Sequence, residues 1–141
     1  MRLAIELDVL GDTRPLWHDW LADVARVLDV EGLPEDRAAA AAELDARGAG
    51  NWRTLLERFA EDRAPVYLRP AAEVSAALRA LQAEGTSIVV FTDAPAELAH
   101  VALVQLGATR RIDDVEAGTA SVDADVVVRS REALLRLHRS A

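Results

Sequence analysis

LAIELDVLGDTRPL, residues Leu3 to Leu16, decides how this chain folds. Leu3 to Leu7 is a short, mainly apolar run that ends at Asp8, as a buried strand would. Gly11, Asp12 and Thr13 break it, and Pro15 suits the first turn of the helix that the apolar spacing predicts next. A carboxylate at the end of a buried strand, followed by a turn and a helix, is where open α/β sheets place their sites.

The rest of the chain extends that pattern. Leu16, Trp17, Trp20, Leu21, Val24, Val27 and Leu28 recur at helical spacing. A second helix is expected from Pro34 to Arg47, with Glu35 and Asp36 in its first turn, and a third from Trp52 to Asp62. After Pro70 a helix carries Val74, Leu78 and Leu81 and is closed by Gly85, a residue suited to the position just past a helix end. Ser87 to Phe91 reads as a fully buried strand. A helix opened by Asp93 and Pro95 runs to Leu106, a weak strand covers Arg111 to Val115, and Gly118 to Ser121 is a loop. Val126 to Val128 is a last short strand, and Ser130 is placed to cap a closing helix. The order predicts a Rossmann-like, three-layer α/β fold with a parallel sheet and helices on both faces. The surplus of helices between the first two strands is an insertion.

The chain has 141 residues, enough for one core. It has no cysteine, hence no disulfide, thiolate ligand or cysteine nucleophile. A net charge of −8 without a basic stretch argues against nucleic acid as a partner. No apolar run is long enough for a membrane span, and a cytoplasmic location is the default expectation. All sixteen cationic side chains are arginine, so no lysine is available to bind phosphate or offset clustered carboxylates.

Residues 3–16 resemble the first motif of the haloacid dehalogenase-like superfamily, a hydrophobic strand ending in Asp-x-Asp-Gly-Thr. Ile88 to Pro95, IVVFTDAP, is similar to the second, a strand ending in Thr or Ser. Arg69 to Gly85 resembles the helix leading into that strand, and Ala124 to Leu137, ADVVVRSREALLRL, the closing strand and helix. The resemblance implies a core of residues 1–14 and 69–141 with a helical cap at 15–68 over the site. It also implies that Asp8 and Thr92 are neighbours facing one pocket, with Asp8 as nucleophile and Thr92 holding a phosphoryl oxygen.

Several of the family's functions find no residue in the expected place. The second aspartate, the acid/base, falls on Leu10, and the motif threonine on Asp12. The third-motif cation has to be an arginine: Arg110, Arg111 or Arg129, with Arg129 our candidate for ligand binding. The fourth motif, a strand ending in Gly-Asp with a further magnesium-holding acid, has no match, and Gly107 to Val126 has room for one strand where two are usual. Magnesium would then need Asp8, Asp12 and Asp93 as a substitute ligand set, with Asp113 and Asp114 near the end of the third strand. Asp12 and Asp93 are candidates for binding substrate too, and each reads equally well as a helix N-cap. A dehalogenase in the narrow sense keeps a single aspartate and no metal, but relies on a lysine.

Two functions follow. One is a weakly active or non-catalytic module that binds a small phosphorylated ligand or a protein partner. The other is an active magnesium-dependent phosphohydrolase with Asp8 as nucleophile. Trp17, Trp20 and Trp52 read as cap packing, although an exposed tryptophan face would point to a homodimer.

Overall fold

The computed structural model describes residues 1–140. Strand β1 (Arg2–Glu6) leads into a four-residue helical turn, α1 (Leu7–Leu10). Helices α2 (Arg14–Val27), α3 (Arg37–Ala46) and α4 (Trp52–Tyr67) follow, then α5 (Ala72–Ala83), β2 (Ser87–Thr92) and α6 (Ala96–Gln105). A 3-10 turn at Thr109–Arg111, β3 (Asp114–Ala117), β4 (Val126–Val128) and α7 (Arg131–Ser140) complete the chain. The four strands are parallel in the order β3-β2-β1-β4. Ile5 lies opposite Val90 on one side and Val128 on the other.

Four elements differ from their sequence-based bounds; one is α3, which begins at Arg37 and not at Pro34, so that Asp36 is its N-cap and Glu35 lies outside it. The strand stops at Glu6 and does not carry on to Asp8: the chain turns into α1, which buries Leu7, Val9 and Leu10. Leu10 lies in the sheet's main core with Val74, Leu78 and Leu106. Gly11 then passes so close to α6 that an added Cβ would stand 2.8 Å from Leu106. Helix α4 continues through Pro65 to Tyr67, five residues beyond Asp62. The third strand is Asp114–Ala117, displaced from 111–115 by the 3-10 turn.

Helices α5, α6 and α7 cover one face of the sheet, where Leu3, Ile5, Ile88, Val90 and Val128 meet Leu78, Leu81, Ala102, Leu103 and Leu134. The other face presents Ala4, Val89 and Phe91, and its cover is not the expected helical layer but an extended segment carrying Val122 and Ala124. Chain length explains this. β3 and β4 are opposite edge strands, three spacings or about 14 Å apart, and the chain must also return along the strand direction. Residues 118–125 could span about 26 Å when extended but only about 12 Å as a helix.

The inserted helices α2 to α4, here called the cap, pack around an apolar cluster that also takes in Ala94 and Leu98. Trp17, Trp20 and Trp52 stack within it at 5.1 Å and 5.9 Å between ring centroids. All three are buried, so the cap presents no tryptophan face to a second copy. Among the described residues no helix is long and apolar enough to cross a membrane.

Candidate functional site

At the carboxyl ends of β1 and β2, under the cap, lies a crevice of about 420 Å³. Asp8, Thr92, Asp93 and Arg129 line it, together with Glu6, Arg14, His18, Glu35 and Arg37. Asp8 sits in the first turn of α1 and Thr92 at the last position of β2, so the parallel pairing of β1 with β2 brings them to one place.

The centre of the crevice is Arg37, a cap residue that the sequence did not single out. It is 5% exposed at the first position of α3. Its Nη2 donates to Asp8 Oδ2 at 3.0 Å and to Thr92 Oγ1 at 3.5 Å. Nη1 donates to Thr13 Oγ1 at 2.6 Å, and Nε to Asp93 Oδ1 at 2.9 Å. The backbone amide of Arg37 donates to Asp93 Oδ2 at 3.1 Å. Asp93 therefore caps the start of α3 from across the crevice, not its own helix, while Asp36 caps α3 locally by accepting from the Ala39 amide.

Asp8 is engaged on both oxygens. Oδ1 accepts from the Thr13 amide at 3.0 Å and from the Thr13 hydroxyl at 2.6 Å, and Oδ2 takes Arg37. Thr92 Oγ1 also accepts from the Ala94 amide, which fixes its rotamer. Glu6, the residue that actually ends β1, pairs with Arg129 Nη1 at 3.1 Å. Arg129 follows β4, rests over the Phe91 ring at 5.1 Å and donates to the Ala120 carbonyl.

Asp12 is not part of the crevice lining. It faces solvent and grips Arg14 through Nε at 2.8 Å and Nη2 at 3.0 Å. The hydrogen bond from Arg14 holds its carboxyl below the ordinary range. Nor is Asp12 a helix cap, since the residue preceding α2 is Thr13. Of the three arginines proposed as the phosphate-facing cation, only Arg129 reaches the site; Arg111 binds Gln82, and Arg110 and Arg111 lie beside other surface depressions. A weak signal for Arg37 was present in the sequence. An arginine in the first turn of a helix opposes the helix dipole, a local conflict that a distant carboxylate resolves.

The side chains present do not fit a magnesium ion. Among the described residues no group of three or more His, Asp or Glu is gathered to hold a metal. Asp8 and Asp93 converge on one guanidinium, Asp12 is elsewhere, and β4, on the far side of β1, is followed by Arg129 and Ser130 where the resemblance calls for acids.

Comparison with known proteins bears on the fold. No family model matches the chain, and no curated protein matches it. A solved structure from Thermotoga maritima, provisionally named a beta-phosphoglucomutase, superposes with a TM-score of 0.52 at 20% sequence identity. The match covers 87% of this chain and 63% of the other, so the chain spans less than two-thirds of that protein's length. The likeness extends to the fold: a parallel α/β sheet ordered β3-β2-β1-β4, with helices inserted after its first strand.

Proposed function

We propose that this chain is a binding module on a haloacid dehalogenase-like scaffold, holding a small phosphorylated ligand beneath its cap with little or no turnover. The observation that carries this reading is the state of Asp8. A nucleophile needs a free lone pair aimed at the reacting atom. Here Oδ1 has both lone pairs taken by Thr13, and Oδ2 keeps a single lone pair beside the Arg37 guanidinium, whose positive charge weakens it as a nucleophile. Leu10 points into the apolar core and can move no proton. The exposed guanidiniums of Arg14 and Arg129, beyond their pairs with Asp12 and Glu6, present donors to an anionic group at the mouth.

A second reading, an active phosphohydrolase, is favoured by one feature of register. Because β1 ends at Glu6, the acid-x-acid pair of the family motif is met by Glu6 and Asp8 and not by Asp8 and Leu10. Under that reading Glu6 stands at the nucleophile's position and Asp8 at the proton-transfer position. Glu6 is one methylene longer than aspartate and is tied to Arg129, which disfavours attack.

The test is a panel of phosphate esters, assayed for turnover with and without magnesium and for binding by calorimetry. Binding by the parent without turnover is expected. Turnover abolished by Asp8→Asn or by Glu6→Gln would overturn the binding-module reading.

A further inference from the structure

We infer that Arg37 is the resident cation of this crevice, its guanidinium filling the place between Asp8 and Asp93 that a divalent metal would need, so that the site is metal-independent. This holds whether or not the crevice turns a ligand over. It rests on how the arginine is spent. Surface ion pairs use one or two donors of a mobile side chain; Arg37 is buried and delivers Nε, Nη1 and Nη2 to four groups. Those groups come from two separate strand ends: Asp8 and Thr13 after β1, Thr92 and Asp93 at the end of β2.

Charge makes the filling exclusive. Asp8 and Asp93 are bonded to adjacent nitrogens of one guanidinium, so their carboxylates stand about one guanidinium apart. Magnesium can be held by one or two carboxylates that leave it most of its waters. With the guanidinium in place it would have to enter beside a fixed positive charge in a poorly solvated position. Arg129, just after β4, adds a second fixed cation on the other side of β1.

Removing Arg37 should therefore create a metal site. The full chain is melted in EDTA and in millimolar magnesium chloride, and titrated with the same salt by calorimetry. The parent is expected to show neither a shift nor a saturable heat. Arg37→Ala is expected to show a saturable heat and a melting rise of about 4 °C at roughly ten times the dissociation constant. Adding Asp93→Asn to that variant should abolish the response. Ethylguanidinium should raise the melting temperature of Arg37→Ala and compete with magnesium, which an arginine serving only to pack the cap would not predict. If Arg37→Ala does not fold, Arg37→Gln, which keeps the aliphatic stem, is read in its place. Magnesium binding by the parent overturns the inference. So does a folded variant that ignores magnesium, or one in which ethylguanidinium and magnesium do not compete.

Discussion

The cap meets the sheet domain along two seams of opposite chemistry. Where α4 lies on α6, Leu56, Ala60 and Ala64 face a helix that buries Leu98, Ala99 and Ala102. Where α3 meets the strand ends, the contact is one guanidinium and its four acceptors. Apolar burial is non-directional, and a face of alanines tolerates small slides and tilts. A guanidinium fork has fixed angles and permits one arrangement. The alanine seam thus supplies adhesion and the arginine seam supplies register, and the register sets the height of the cap above the crevice.

Breaking the arginine seam should have the largest effect. Arg37→Ala leaves Asp8 and Asp93, both mostly buried, without their counter-charge, and truncating one partner of a buried pair costs about 4 kcal/mol. Urea unfolding measures it. A loss below about 1 kcal/mol, the range of an exposed pair, would mean that Arg37 does not organise the seam. Leu98→Ala opens a cavity in the apolar seam and should cost about 3 kcal/mol. The two variants should differ in kind as well as in size. Amide shifts of Thr92 and Asp93 should move strongly with Arg37→Ala and little with Leu98→Ala.

The same contrast marks what could be read from the sequence. Elements held by apolar pattern were legible: Ile88 to Phe91 is buried without interruption, Gly85 ends α5 with a positive φ of 85°, and Ser130 Oγ accepts from the Ala133 amide at 3.1 Å as a cap should. Asp8 and Thr92 were placed together because parallel topology alone brings strand ends side by side. Arg37 was scarcely legible beyond its awkward place in a first helical turn, since its partners lie 24 to 56 residues away and its neighbours are alanines that carry no pattern. The end of β1 was misplaced for a different reason. Leu7, Val9 and Leu10 satisfy a buried strand and a buried helical turn equally well when only hydrophobicity is considered. The absent helical layer depended on where β3 and β4 sit across the sheet, which an eight-residue spacing does not state.

Within the polar seam, the cap of α3 can be separated from the arginine itself. Asp36 Oδ2 accepts from the Ala39 amide at 2.8 Å, while Asp93 serves the Arg37 amide. Asp36→Ala should cost about 1 kcal/mol, the worth of an N-cap, and leave the amide shifts of Thr92 unmoved. A cost near that of Arg37→Ala would show that the position of α3 depends on its own cap more than on the crevice, reversing the assignment of register to the guanidinium.

The smallest effect is expected where a carboxylate does a similar joining task in solvent. Asp45, at the end of α3, accepts from Trp52 Nε1 at 2.9 Å and from Arg53 Nη2 at 3.1 Å, linking α3 to α4. The Trp52 hydrogen bond, then that of Arg53, holds its carboxyl below the ordinary value of 3.8. A depressed folded-state value means the link stabilises the cap above the unfolded midpoint and that this contribution fades as pH falls through the folded one. Carboxyl carbon titration should place the Asp45 midpoint below 3.8, and Trp52→Phe should raise it. An Asp45 midpoint at 3.8 or above would mean the link is not kept in solution, as is common for exposed pairs. Asp45 and Asp93 are both aspartates bridging two segments, but water can replace the partners of the first, whereas those of the second are fixed by burial.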